Sequence, residues 1–314
     1  MMKQPVKIIK DFPPTNEYKY NEDLWNKQHG DAFVIINCKA SDIYYPEHWT
    51  PLSLKCAFRG KEYYKLKNTT YSVSDSNFLI LNQGCEYASY ILPASLTESF
   101  TLNFTKGNLS LLQAVFGNNC IKLLDEPFRL NAGSTSFIEK LYSYSTAMAS
   151  SISQLKNLIS GSYIDSFAVT ELLYKILAEI FLLNSFSTRE ADGITAKRNS
   201  TRLELYKRLT VAKDYLSSCY DEEITLEKLA ETCYLNPFYL LREFKKLYRT
   251  TPHQFLTGIR VQQAARLILT SNTPIINVMR EVGFQDPTSF NRLFKKYYGM
   301  SPTIYRTQMK KISD

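Results

Sequence analysis

The sequence predicts an α+β chain: a β-barrel or sandwich followed by helices over residues 1–184, a linker over 185–201, and an all-α domain of two helix-turn-helix units joined by a long helix over 202–314. Three observations carry that expectation. Residues 236–252, NPFYLLREFKKLYRTTP, return fifty positions later at 286–302 as DPTSFNRLFKKYYGMSP, with Pro237/Pro287, Arg242/Arg292, Phe244/Phe294, Lys245/Lys295, Lys246/Lys296, Tyr248/Tyr298 and Pro252/Pro302 in register. Short apolar segments broken by turn residues fill residues 52–104. The formal net charge of +8 is lopsided: residues 1–199 hold 20 Lys and Arg against 19 Asp and Glu, and residues 200–314 hold 18 against 11. A basic C-terminal half points to a polyanionic partner, with a merely solvated basic surface as the other reading.

Taken in order, residues 1–50 are weakly patterned and read as a tail followed by short strands. From Leu52 the alternation of Leu52, Leu54, Cys56 and Phe58 with Ser53, Lys55, Ala57 and Arg59 predicts a half-buried strand. Further strands are expected at 62–66, 70–73, 78–81, 85–91 and 100–104, and then helices at 109–116, 136–159 and 164–183. In the last of these Leu172, Leu173, Ile176, Leu177, Ile180, Phe181 and Leu183 form an apolar face that must pack on the β-domain or share in a dimer interface. Residues 185–201, SFSTREADGITAKRNST, carry no apolar period and read as a linker.

The remainder is helical. Leu203, Tyr206, Leu209, Ala212, Tyr215 and Leu216 give a first helix. Thr225 is the expected N-cap of a short helix to about Thr232, and Asn236-Pro237 opens the next, a capping amide followed by a proline at the position where a missing N–H costs nothing. The second copy repeats the plan at 275–281 and from Asp286-Pro287, with a turn one residue longer in which Gly283 supplies a permissive backbone. Between the copies, residues 257–271 predict one continuous helix with Ile259, Ala264, Leu267 and Ile268 inward.

In the repeated helix Leu240, Phe244 and Leu247, like Phe290, Phe294 and Tyr297, fall at i, i+4 and i+7 and form the expected buried stripe. The opposite faces carry Phe238, Leu241, Arg242 and Lys245 in the first copy and Thr288, Asn291, Arg292 and Lys295 in the second. A helix in a major groove needs this reach: arginine bonds guanine O6 and N7 together, and a lysine farther along meets a phosphate.

Residues 202–308 resemble the DNA-binding domain of the AraC/XylS family of bacterial transcription regulators, on the strength of NPFYLLREFKKLYRTTPHQF, RVQQAARLIL and PIINVMREVGFQDPTSFNRLFKKYYGMSPTIYR. The resemblance implies base-facing positions at Phe238, Leu241 and Arg242 in the first helix and at Thr288, Ser289, Asn291 and Arg292 in the second. Leu241 stands where the family commonly has a polar reader, so contact with thymine methyls or with DNA shape is expected there. The N-terminal half is similar in outline to the cupin-like β-barrel sensing domains of the same family, followed by helices that often dimerise. The aromatic residues Trp49, Phe58, Tyr64, Tyr87 and Tyr90 are candidates to line a ligand pocket there, core packing being the alternative.

Several classes are set aside. The six cysteines form no CxxC pair, and of three histidines only His29 and His48 lie in the N-terminal half, so no metal or cofactor is expected. No Ser/His/Asp set, Cys/His pair or phosphate-binding glycine loop is present, so no catalytic residue is assigned and an enzyme is not expected. The most apolar window, 167–186, carries Glu171, Lys175 and Glu179 and reads as an amphipathic helix, and the N-terminus lacks a signal-peptide core. The expectation is a cytoplasmic, dimeric regulator, an activator that binds double-stranded promoter DNA, meets RNA polymerase and answers a small-molecule effector. The alternative is a ligand-independent architectural protein whose N-terminal domain binds a protein partner.

Overall fold

The computed structural model describes residues 5–12, 22–93, 96–105, 107–110, 136–194 and 198–313. The chain divides into two compact units, Met1–Lys207 and Arg208–Asp314. The strands of the first are β1 (Val6–Ile9), β2 (Phe33–Ala40), β3 (Ile43–Trp49), β4 (Leu52–Phe58), β5 (Glu62–Leu66), β6 (Thr69–Val73), β7 (Asn77–Leu81), β8 (Glu86–Ile91), β9 (Thr97–Phe104) and β10 (Leu141–Ser143). They form a six-stranded sheet in the order β1-β2-β9-β4-β7-β10 and a four-stranded sheet in the order β3-β8-β5-β6. All described pairings are antiparallel except β1 with β2. Among the described residues no ladder joins the two sheets, and only the bridge Ser74–Asn77 at the β6–β7 turn lies between them. The described strands therefore form two facing sheets rather than a closed barrel.

β4 is central, paired with β7 on one side and β9 on the other. Its Leu52, Leu54 and Cys56 pack toward two helices, Thr146–Ser160 and Ser166–Asp192, while Ala57 packs with Tyr64, Tyr71 and Tyr87 of the four-stranded sheet. Both faces are thus covered. The half-buried strand expected from alternation is buried on both sides, and Ser53 and Lys55 are only 0% and 5% exposed.

In the first unit two helix boundaries differ from the sequence reading, and Glu22–His29 is a helix where a tail and short strands were expected. Residues 141–143, expected inside a helix, pair with the β7 edge, because Tyr142 stacks on Phe78 at 5.6 Å and its hydroxyl donates to the Ile138 carbonyl. The helix starts only after Ser145, whose hydroxyl accepts from the Met148 N–H. The next helix, Ser166–Asp192, continues through the first part of the expected linker. The hydroxyls of Ser185, Ser187 and Thr188 bond back to the carbonyls four residues earlier, which lets polar residues stay helical. The apolar face from Leu172 to Phe181 is buried against the protein's own six-stranded sheet. Of the helix expected at 109–116, residues 111–116 lie outside the described residues.

The second unit contains the helices α5 (Leu226–Thr232), α6 (Pro237–Tyr248), α7 (Pro252–Thr270), α8 (Ile275–Glu281), α9 (Pro287–Tyr298) and α10 (Pro302–Ser313), where α1 (Glu22–His29), α2 (Thr146–Ser160), α3 (Ser166–Asp192) and α4 (Asn199–Ser218) precede them. α7 begins five residues earlier than expected: Thr251 and Gln254 form a reciprocal capping box around Pro252. Its 19 residues span about 28 Å at a rise of about 1.5 Å each. Val261, Ala264, Ala265 and Ile268 pack with Val278, Met279, Val282, Phe290 and Phe294, whereas Ile259 is half-buried.

The two copies turn in the same way. Tyr234 and Gly283, 49 positions apart, both have left-handed backbone, φ 54° and 86°. The next N–H closes each turn, from Leu235 to the Ala230 carbonyl at 2.9 Å and from Phe284 to the Met279 carbonyl at 3.0 Å. The extra residue of the second turn is therefore Gln285. A methyl group at Gly283 would lie 2.8 Å from the Asp221 carbonyl oxygen and 3.0 Å from the Arg260 guanidinium. Arg260 cannot yield easily, since it donates to the Tyr220 and Glu222 carbonyls at 2.6 and 2.7 Å. Gly283→Ala is expected to destabilise by about 2 kcal/mol or more, and Gly299→Ala, in open space at φ 76°, by about 1 kcal/mol. Equal urea midpoints for the two variants would contradict this.

Candidate nucleic-acid interface

α6 and α9 are fixed at their N-termini by matching caps. The Asn236 side-chain oxygen accepts from the Phe238 and Tyr239 N–H groups at 3.0 and 3.4 Å. Asp286 accepts from the Thr288 and Ser289 N–H groups at 3.2 and 2.8 Å, and its carboxyl is held below the usual range by the Ser289 hydroxyl first and then by these backbone bonds. The caps leave proline at the first helical position of each helix. Leu240, Phe244, Phe290 and Phe294 are at most 1% exposed and anchor the inner faces.

The stripe departs from expectation at its far end. Leu247 is half-buried, and Tyr297 is 46% exposed. Tyr297 lies over Gly258, which offers no side chain to cover its ring. Tyr298 packs in its place, 4.9 Å from the rings of both Phe294 and Tyr305.

The outer faces present the sequence-predicted set. Phe238, Leu241, Arg242 and Lys245 are exposed on α6, and Thr288, Asn291, Arg292 and Lys295 are exposed on α9, with Ser289 half-buried at its start. Phe238 is 82% exposed, a large ring left mostly uncovered by the described residues. Beside α9 a cleft of about 800 Å³ opens against α7 and the α8–α9 turn, lined by Arg280, Ser289, Arg292, Lys296, Tyr297 and His253 among others. Arg280, on α8, was not singled out in the sequence, because spacing along one helix does not reveal what a neighbouring helix adds, and Lys296 was noted there only as a repeated position.

Sequence reasoning also missed Glu243. It is buried, and its carboxylate accepts from Arg242 Nε at 2.8 Å and Lys246 Nζ at 3.0 Å. Burial pushes its carboxyl up, but the bonds from Lys246 and Arg242 outweigh that and hold it below the usual range. The Arg242 guanidinium also lies 5.1 Å from the centre of the Tyr239 ring.

In the N-terminal unit the five candidate aromatic residues do not converge. Trp49 is 50% exposed, Phe58 packs on the helix side beneath Lys156, and Tyr90 stacks on Tyr63 at 5.0 Å. Tyr64 and Tyr87 do meet, ring centres 5.6 Å apart, buried between the sheets. With them lies Lys55, whose Nζ donates to the Tyr87 hydroxyl at 2.8 Å. Burial pushes the Lys55 amine down to about 8. Glu62, also buried there, is raised by burial against hydrogen bonds from Ser99 and Tyr64, and its Oε2 has no hydrogen-bond partner among the described residues. Burial likewise takes the neighbouring His48 down to about 4. Among the described residues no three His, Cys, Asp or Glu side chains group as a metal site, and no helix is long and apolar enough to cross a membrane.

A family model described as a helix-turn-helix domain matches residues 229–308. The chain is similar to the raffinose operon transcriptional regulatory protein RafR of Pediococcus pentosaceus, 30% identical over 47% of this chain and 50% of that one. It is similar over more of its length to the uncharacterized HTH-type transcriptional regulator YisR of Bacillus subtilis, 26% identical over 79% of this chain and 83% of that one. The chain spans about half the length, or less, of the first curated relatives it matches. Among solved structures, the DNA-binding domain of the global transcriptional factor AdpA in complex with a target DNA is 29% identical, covering 33% of this chain and 94% of that one, with a TM-score of 0.32.

Proposed function

We propose that this chain is a transcription regulator of the AraC family, a reading supported by the helix-turn-helix match at residues 229–308 and the likeness to RafR and YisR, and that it is a cytoplasmic activator whose cupin-like N-terminal unit answers a small-molecule effector. The single observation that carries the DNA-reading part is the repeat itself: two capped helices expose an arginine and a lysine at matching positions, Arg242/Arg292 and Lys245/Lys295, above matching buried phenylalanines. On this reading residues 202–314 bind double-stranded promoter DNA and bring RNA polymerase to it, residues 1–184 sense, and residues 185–201 carry the connection. Phe238, Leu241, Thr288, Ser289 and Asn291 complete the base-facing set.

The effector reading rests on the interior between the sheets. A lysine and a glutamate buried without contacting each other cost the fold free energy that an apolar pair would not. Lys55, Glu62, Tyr64 and Tyr87 would serve a polar ligand there as donor, acceptor and ring faces. Dimerisation falls to the outer side of α3, where Phe167 is 80%, Phe186 58% and Leu182 46% exposed. The experiment is thermal unfolding of the full chain across a panel of polar metabolites. A true effector at about 100 times its Kd adds about 2.7 kcal/mol of stability, and Lys55→Met should remove that increment. No shift with any metabolite would favour the ligand-independent alternative, in which the N-terminal unit binds a protein partner.

A further inference from the structure

We propose that Glu243 is a positioning residue that fixes how Arg242 meets DNA, making the first of the two repeated helices the stricter reader; this rests on the DNA-binding reading above. The two copies agree at Arg242/Arg292, Phe244/Phe294 and Lys245/Lys295, but where the first has Glu243 the second has Leu293. Leu293 is half-buried against the local core, so the position itself is satisfied by an apolar side chain. A carboxylate there is costly unless paired. Its pairing is with the reader: the Glu243 side chain is 7% exposed and holds Arg242 Nε at 2.8 Å, while the Arg242 side chain remains 62% exposed.

A guanidinium has five N–H donors, and occupying the one on Nε leaves the four on the two terminal nitrogens. Those terminal nitrogens form the fork that bonds guanine O6 and N7. Tyr239 lies 5.1 Å from the same guanidinium and restricts its plane, whereas Ser289 stands at the equivalent place beside Arg292. Arg242 therefore meets DNA already oriented, with fewer rotamers to lose on binding, and a base that does not match its fork gains little from the side chain's moving. Arg292 has Leu293 in place of that carboxylate, and the nearby Asp286 carboxylate, although it feels the Arg292 charge, is engaged by the Thr288 and Ser289 N–H groups of its cap, so Arg292 adapts more readily. The same Glu243 oxygen takes Lys246 at 3.0 Å, which offsets a second positive charge at this end of α6.

The test uses the full chain and a selected duplex, with every base pair changed singly, in titrations of the wild type, Glu243→Leu and Glu243→Gln. Glu243→Leu should lower discrimination about tenfold at the base pair that Arg242→Ala identifies, while leaving discrimination at the Arg292 position unchanged. Affinity for non-specific DNA should rise with it, because the buried carboxylate no longer offsets the exposed charges of Arg242 and Lys246. Glu243→Gln, which keeps an acceptor for Nε, should restore part of the discrimination. Equal loss at both arginine positions, or full discrimination in Glu243→Leu, would overturn the positioning role. Failure of the wild type to prefer any duplex would overturn the DNA-binding reading itself, and the two failures are told apart by the wild-type titration.

Discussion

Phe294→Ala is expected to lower the stability of the C-terminal unit by about 3–5 kcal/mol, the usual range for removing a fully buried aromatic side chain. Phe294 is 0% exposed and sits inside a ring cluster, with Phe290 at 5.7 Å, Tyr298 at 4.9 Å and Tyr305 at 5.4 Å. These rings come from α9 and α10, so removing Phe294 opens a void in a closely packed cluster. Arg292 and Lys295 flank it on the outer side of the same helix, and loosening the anchor loosens their aim. Urea unfolding of the full chain, followed by a probe in the C-terminal unit, measures the loss. A midpoint within error of the wild type would mean that the ring cluster does not hold α9 in place.

Arg242→Ala and Arg292→Ala should each cost about 1–3 kcal/mol against a specific duplex and relax sequence choice at one position. The two losses should fall at different base pairs, since the arginines stand on separate helices, α6 and α9. Lys245→Ala differs in kind: it should weaken binding to all sequences alike and reduce the salt slope by about one. Competition titrations at two salt concentrations separate these outcomes. If both arginine variants kept the affinity and selectivity of the wild type, the outer faces of α6 and α9 would not be the reading surface.

How far the molecule was legible depends on the kind of signal. Strands such as Leu52–Phe58 and Glu62–Leu66 were readable end to end because alternation and turn residues are local, and Ile275–Glu281 and the Asn236 and Asp286 caps were readable for the same reason. Residues 185–192 were not, because serine and threonine look like linker until their hydroxyls are seen donating to the backbone carbonyls four residues earlier. Lys55 looked like the outward residue of a half-buried strand, and only the second sheet packed over it makes it interior. Glu243 drew no reading from the sequence. Its burial depends on where the whole helix lies, which no spacing along the helix states.

Selection of bound duplexes from a random pool by the full chain tests the central claim most directly. Two arginine-bearing helices, one on each side of α7, predict enriched sequences with two conserved blocks about one helical turn, about 10 base pairs, apart. Each block should lose its information when its own arginine is replaced. A pool that shows no enrichment, or a single block unaffected by Arg242→Ala and Arg292→Ala, would contradict the account.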